Sequence, residues 1–438
     1  MQYIDKDLGS FGLHLIKTDK FKTVTMRVVF HSPINKSEIT MRNILSDILL
    51  QSSKEYDSKR NLTIKSQELY SADVTTHNQR IGNYIFSSFV VQVLNDKYTE
   101  KGNLEETIKF LSDIIFNPDI ENKKFKSDKL DIVKNNAKVA LSSIKEDASN
   151  YSLIRLAEAY DKDSPVSYRM TGYLEDLENI TEENLYMCYD KMLDNDYVDI
   201  FVAGDFEPQI MTSLVKKYFK FKKIKKPKSP YELEIHKPRS RRLIAKETIN
   251  NTQSKLAIAC PINKLTDYER NYPLILANLI FGGGTDSKLF TEVREKNSLC
   301  YTIRSLLVKM DNLLIITAGI DRDNFNKTIE LITKNLTDMK KGKFSEKDIK
   351  VAKEFYSTIQ EELEENEHRL INDCLSKLVL GVDSIEERVA KMNKVTKQDI
   401  VKAAKKINMD TIFLLEGVKC EENWFKRVGC YLLYRKAI

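Results

Sequence analysis

Arg294 and Tyr301 stand seven residues apart, behind the glycine triplet Gly282-Gly283-Gly284, in the stretch FGGGTDSKLFTEVREKNSLCY (residues 281–301). A guanidinium and a phenol are strong hydrogen-bond donors, and together they read as half of an active site. Their spacing lets them act together. Arg294 falls near the end of a helix begun around Thr285 or Asp286, Asn297-Ser298 breaks that helix, and Tyr301 opens a strand. Both side chains can then point into one cleft. The plainer readings are a solvated Arg294 paired with Glu292 or Glu295, and Tyr301 as a core aromatic at a strand start. Glycines before a helix could cradle a phosphate, but no GxxxxGK[ST] string or Rossmann pattern surrounds them. A turn exposing backbone amides to an extended peptide, or a tight structural turn, fits better. The metal-binding half is absent. His14, His31, His77, His236 and His368 are scattered, and no two are four apart.

The elements that must position these residues occur twice. Ser32-Pro33-Ile34-Asn35-Lys36 returns as Cys260-Pro261-Ile262-Asn263-Lys264, an offset of 228 residues, and Arg42-Asn43 returns at the same offset as Arg270-Asn271. An alternating apolar run precedes each copy, at 23–30 and 254–259, and reads as a strand with one buried face. A helical pattern follows each, at 41–51 and 270–281. The ends of the halves match as well. Thr181 and Thr396 are N-cap candidates for helices leading to the strands at 199–205 and 411–417. Between these landmarks, strands are expected at 71–79 and 84–94, then helices at 103–116, 121–146 and 148–160. The second half gives strands at 301–307 and 311–319, then helices at 322–341, 345–365 and 366–380. Blocks of strands followed by helices imply an α+β fold with antiparallel sheets. The expected organisation is two tandem homologous domains, 1–220 and 241–438, joined by a Pro- and Lys-rich linker at 221–240. The tail 422–438 has no counterpart in the first half.

Bulk composition excludes several classes. At 438 residues the chain exceeds one ordinary core. Its apolar content of 42% with 31% charge is that of a globular protein rather than a disordered one. The net charge of +6 is spread along the chain. Only Lys216 to Lys228 clusters basic residues, and a helix end running into a linker explains it better than nucleic-acid binding. Six cysteines without CxxC spacing read as reduced packing thiols. The N-terminus carries no apolar signal region and the longest apolar run is too short to span a bilayer, so the expectation is a cytoplasmic protein with no membrane or nucleic-acid partner.

Twelve positions of the opening window carry a family resemblance: Gly283, Gly284, Ser287, Leu289, Phe290, Glu292, Val293, Arg294, Glu295, Lys296, Leu299 and Tyr301. With the duplication, the chain resembles the M16 peptidases of the insulinase and pitrilysin clan, and implies their LuxS/MPP-like metallohydrolase fold. The string GLHLIKTDKFKT at 12–23 resembles the zinc-less member of two-subunit M16B peptidases of Gram-positive bacteria, commonly labelled as associated with elongation factor P modification. M16 enzymes bind zinc through H-x-x-E-H on the first helix of the first domain, where the glutamate is the general base. Here Asn43, Ser46 and Asp47 stand at those positions, and Asp128 and residues near Asn135 replace the later glutamates. None supplies an imidazole, so the chain is expected to hold no metal. In the family, the arginine and tyrosine reach the active site from the domain opposite the zinc. The resemblance implies that role for Arg294 and Tyr301, since a phenol can donate to the oxyanion of peptide hydrolysis and a guanidinium adds positive potential.

The resulting expectation is a non-catalytic, substrate-binding subunit of a heterodimeric M16B zinc peptidase. Its partner would supply H-x-x-E-H and zinc, and the substrate would be an extended peptide. Gly282, Gly283 and Gly284 would contact that peptide. A peptidase-like scaffold with no proteolytic role is the rival, and the isolated chain could form a homodimer. Glu367-His368 is expected to face solvent.

Overall fold

The structure is a computed structural model that describes residues 1–222 and 236–417. Most of the expected linker, and the tail 422–438, lie outside the described residues. The chain divides into two compact units. Unit one comprises Met1–Ser143, Arg169–Glu232 and Ile359–Asp383; unit two comprises Ile144–Tyr168, Leu233–Thr358 and Ser384–Ile438. The α+β class with one sheet per half is as the sequence implies. The division differs from a simple cut near residue 230, because one helical segment from each half of the sequence belongs to the other half's unit.

Unit one is built on a sheet of six strands: β1 (Gln2–Asp7), β2 (Gly12–Lys17), β3 (Thr23–Pro33), β4 (Val74–Ile81), β5 (Tyr84–Leu94) and β6 (Tyr197–Gly204). Their order is β1-β2-β6-β3-β5-β4. All pairs are antiparallel except β2 with β6, so the sheet is mixed. β3 is buried on both faces, which is why it reads as a near-continuous apolar run. Val24, Met26, Val28 and Phe30 meet Leu45 and Ile48 of the Ile39–Ile48 helix and Leu111 and Ile115 of the Asn103–Phe116 helix. The other face, with Ile16, Val29, Phe86 and Phe201, is covered by Leu370, Ile371, Cys374 and Leu375 of the Glu367–Leu380 helix. Glu367 is not at the solvent-facing place the sequence suggested. It is buried and accepts hydrogen bonds from Thr23 Oγ1 (2.9 Å), Thr25 Oγ1 (3.2 Å) and Gln92 Nε2 (2.6 Å), which anchors that helix to β3 and β5.

Unit two has five strands: β7 (Leu243–Ile249), β8 (Ser254–Pro261), β9 (Cys300–Val308), β10 (Leu313–Ile320) and β11 (Thr411–Gly417), in the order β9-β10-β8-β11-β7. β11 and β7 are the parallel pair. One face packs Leu256, Ile258, Ile303 and Ile316 against Ile332, Leu336, Ile400 and Ala403. On the other, Ala257, Ala259, Phe413 and Leu415 meet Ala148, Tyr151, Leu156 and Tyr160 of the Ala148–Asp161 helix. β3 and β8 are the repeated strands, and the repeated caps are real: Thr181 forms a capping box with Asn184, and Thr396 one with Asp399. The repeated arginines are structural. Arg42 is buried and holds Asp196 through two bonds (2.5 and 3.0 Å), while Arg270 donates to Asn312 (3.1 Å) and Asp267 (2.6 Å).

The helix expected over 270–281 is broken. Pro273 ends the Asp267–Asn271 turn, since it has no N–H to continue the ladder. A new segment, Pro273–Asn278, then runs into a π-helical turn, Leu279–Gly283.

Candidate functional site: the Arg294–Tyr301 corner and the closed metal position

The segment after the glycines starts its helix later than the sequence suggested. Thr285 and Asp286 lie in a turn, and the helical stretch that includes the π-helical Phe290–Glu295 begins near Lys288. The π geometry is common at functional sites. Ser298 ends it in the left-handed region (φ 52°), with its N–H donating to Arg294 O (3.0 Å), and Asn297 Nδ2 caps Glu292 O (2.8 Å). This sharp stop brings β9 in immediately. β9 opens on a bulge: Cys300 faces Ile320 and Thr302 faces Gly319, which leaves Tyr301 without a partner on β10. A bulged residue is re-aimed out of the pleat, and Tyr301 is 75% exposed.

Arg294 is half-buried. Its guanidinium sits 4.7 Å from the Phe290 ring centroid and 5.8 Å from that of Tyr301. Of the two acids flanking it, Glu292 pairs with Lys296 (2.7 Å) and Glu295 is exposed. Among the described residues the Arg294 guanidinium makes no hydrogen bond or ion pair. The paired, solvated charge is therefore not what the structure holds, and Tyr301 is not a core aromatic. The corner presents an uncompensated cation and a phenol side by side. The Arg294 charge favours the Cys300 thiolate, yet burial dominates and pushes that thiol up to about 11, so it is not a nucleophile at neutral pH.

The glycines serve packing. None of the three takes a positive φ. A Cβ on Gly282 would lie 2.6 Å from Ser305 Oγ and 2.8 Å from Leu289 Cδ1, and one on Gly283 would lie 2.5 Å from Asn278 Nδ2. The Gly284 N–H is spent on Leu279 O (3.0 Å). This placement favours close approach of the π turn to β9 over the peptide-binding role expected of Gly282, Gly283 and Gly284.

In unit one, the Ile39–Ile48 helix carries Asn43, Ser46 and Asp47 where the family's metal ligands would be. Asn43 Nδ2 donates to Met170 O (2.7 Å) and its Oδ1 accepts from Asn78 Nδ2 (2.8 Å). Asn78 Nδ2 also reaches Ser46 Oγ (3.0 Å), which in turn donates to Arg42 O (3.0 Å). These neutral groups satisfy one another, and Asp47 is exposed. Asp128, near the start of the Ser127–Ser142 helix, pairs with Lys129 (3.2 Å), and Asn135 is exposed. A zinc ion needs deprotonated or imidazole donors, and this set does not fit one.

Such a sheet-and-helix duplication with an Arg/Tyr corner and a degenerate metal position defines an M16-type fold, and the chain belongs to the M16 peptidase family. Residues 179–356 match the family model described as the peptidase M16 inactive domain. The chain is 30% identical over 415 residues to "Probable inactive metalloprotease YmfF" of Bacillus subtilis, covering 94% of this chain and 97% of that protein. It is similar to the crystal structure of a conserved protein from Enterococcus faecalis, with TM-score 0.87, 30% identity and coverage of 95% of this chain and 99% of that one. The peptidase M16 inactive domain from Pseudomonas fluorescens shares the fold at TM-score 0.75 and 15% identity, covering 95% and 99%. The chain is thus an inactive-type M16 peptidase homologue.

Two features were not found from sequence. One is a histidine–carboxylate relay in unit one, buried except for Asp5. His14 Nδ1 bonds Asp5 (2.7 Å), His14 Nε2 bonds Asp199 (3.1 Å), and Asp199 also bonds His31 Nε2 (2.7 Å). Asp5, His14 and Cys374 lie close enough to hold a metal ion. However, both His14 nitrogens are taken by carboxylates, and burial pushes the Cys374 thiol up to about 12. Alternation along β1, β2 and β6 could have revealed it only with the strand register in hand. The other is a basic cavity beside Arg294. The four described cysteines are buried and unpaired, as expected of packing thiols. Lys217 and Lys222 of the basic stretch pair with Glu105 (2.7 Å) and Asp194 (2.5 Å). Among the described residues, no helix is long and apolar enough to cross a membrane.

Proposed function

We propose that this chain is the non-catalytic, substrate-binding subunit of a two-chain M16 zinc peptidase. The observation that carries the reading is the uncompensated Arg294 guanidinium beside the exposed, bulge-presented Tyr301. Stacking on the two rings stabilises the guanidinium only modestly and leaves its N–H donors unused. A peptidase gains a donor for the oxyanion and a cation for backbone carbonyls. The closed Asn43–Asn78–Ser46 network supports a reading in which zinc and the general base would be supplied by another polypeptide bearing H-x-x-E-H. The reaction would be hydrolysis of extended peptides, with the metal polarising the carbonyl on the partner.

Reconstitution with an H-x-x-E-H-bearing M16 subunit from the same cell tests this. Tyr301→Phe removes one hydroxyl and leaves the ring that faces Arg294. Turnover of a fluorogenic peptide should fall roughly 10²–10³-fold, the usual cost of losing one oxyanion donor. Turnover within twofold of the parent would defeat the assignment and leave the scaffold reading.

A further inference from the structure

Unit two contains a cavity of about 370 Å³ beside Arg294. Its floor is one face of the sheet. Cross-strand register places Thr302, Gly319 and Lys255 in one row and Arg304, Thr317 and Ala257 in the next. Small side chains in the middle of these rows leave room above the sheet. The walls are Phe290 and Arg294 on one side and Ser149, Ser152 and Leu153, the first turns of the Ala148–Asp161 helix, on the other.

Three cations line this space, Lys255, Arg294 and Arg304, and no aspartate or glutamate does. Lys255 Nζ touches only a neutral amide, Gln253 Oε1, at 2.7 Å. Among the described residues, neither the Arg294 nor the Arg304 guanidinium has a hydrogen-bond or ion-pair partner. Cations gathered in a concave, partly desolvated space repel one another, and an anion relieves that cost. The N-terminus of the Ala148–Asp161 helix is capped by the Asp147 carboxylate, which accepts from Ser149 N and Asn150 N (3.0 Å each), so the positive potential rests on the three side chains. Alongside the cavity runs β9, which pairs with β10 on one side only and forms the sheet edge. An extended peptide added to that edge would place alternate side chains over Thr302 and Arg304.

We propose that this cavity is a carboxylate subsite that selects acidic peptides: Arg304, Lys255 and Arg294 hold an Asp or Glu side chain of a peptide lying along β9. The inference rests on the substrate-binding reading above and adds its specificity. Guanidinium groups match carboxylates in a two-point geometry.

Fluorescence anisotropy of labelled unstructured peptides, on the full chain, tests it. Four peptides are needed: a central Glu-Asp pair or a Gln-Asn pair, each with a free or an amidated C-terminus. The Glu-Asp peptides should bind at least about tenfold tighter than the Gln-Asn ones whatever the C-terminus, a difference of roughly 1.4 kcal/mol. Arg304→Gln should abolish that preference, bringing the Glu-Asp peptides to the affinity of the Gln-Asn ones. Arg304→Glu, which leaves Lys255 and Arg294 facing a new carboxylate, should weaken the Glu-Asp peptides more than Arg304→Gln does. A preference that follows the free C-terminus would reassign the pocket to chain ends and overturn the side-chain claim. Equal binding of all four peptides, no binding of any peptide, or tighter binding of inorganic triphosphate than of the acidic peptides would also overturn it. The Tyr301→Phe turnover test is read on the reconstituted enzyme and not on peptide preference, so the subunit reading can stand if the subsite fails.

Discussion

At the residue scale, the chain contrasts two ways of treating a buried or half-buried charge. Arg294 is left open, whereas His14 is enclosed between two carboxylates. Burial acts to lower the His14 pKa, but the bonds and charges of Asp199 and Asp5 outweigh it and hold the pKa above the ordinary 6.5. A histidine whose folded pKa is raised stabilises the fold below its unfolded value and loses that contribution as pH rises through the folded one. Asp199 behaves oppositely. Burial raises its pKa, the bonds from His14 and His31 outweigh this, and the net value lies well below the carboxylate range. Its contribution is present above about pH 4 and lost in acid. Unit one should therefore be most stable in the mildly acidic range and weaken as pH rises above about 6.5. The groups facing His14 are Asp5 on β1, Asp199 on β6 and the un-ionised Cys374 on the Glu367–Leu380 helix. Thermal unfolding from pH 5 to 9 checks this. The parent melting temperature should drop across that range, and His14→Gln should flatten the neutral-to-alkaline part of the curve. An unflattened curve for His14→Gln would assign the pH dependence to other groups.

At the element scale, much was legible in the sequence. The Asn103–Phe116 helix, β5 and β11 fall where periodicity put them, and β9 and β10 within two residues. Long amphipathic runs and β-branched alternation carry enough signal to set an element by themselves. The Phe281–Tyr301 window shows what a local pattern misses. Glycines before a helix were read as a turn, but Gly282 and Gly283 lie in the π-helical Leu279–Gly283 segment, and close contact of Gly282 with Ser305 and Leu289 leaves no room for a side chain. That requirement comes from β9, which arrives later in the chain. β1 and β7, at sheet edges, and β2, only six residues long, were not recognised. The packing reading has a direct test. Gly282→Ala inserts a methyl against Leu289 and Ser305, and overpacking of this kind costs about 1–3 kcal/mol. Urea unfolding should show that loss. A loss below roughly 0.5 kcal/mol, the range of an unremarkable surface change, would mean that the turn has slack.

At the scale of the whole chain, the duplication was readable and the exchange of helices was not. The Ala148–Asp161 and Glu367–Leu380 helices were both expected from their patterns, but an apolar stripe does not state which sheet it will cover. Chain order suggests the sheet of the same half; the compact units assign each to the other. The energetic consequence is large. Leu370, Ile371, Cys374 and Leu375 are almost fully buried against Ile16, Val29, Phe86 and Phe201, and burying each large aliphatic side chain contributes roughly 1.5–3 kcal/mol. Net stabilities of domains are only about 5–15 kcal/mol, so unit one cannot lose that cover and stay folded. Residues 1–222 expressed alone should expose this sheet face, bind a hydrophobic dye and lack a cooperative unfolding transition. The Glu367 carboxylate, which bridges Thr23, Thr25 and Gln92, would be lost with the same segment. Appending residues 359–383 through a flexible linker should restore a cooperative transition, and Leu370→Asp within that segment should remove it again. If fragment 1–222 alone unfolds cooperatively with the stability of its helix-restored form, the exchanged helix is dispensable and each sequence half is a folding unit by itself.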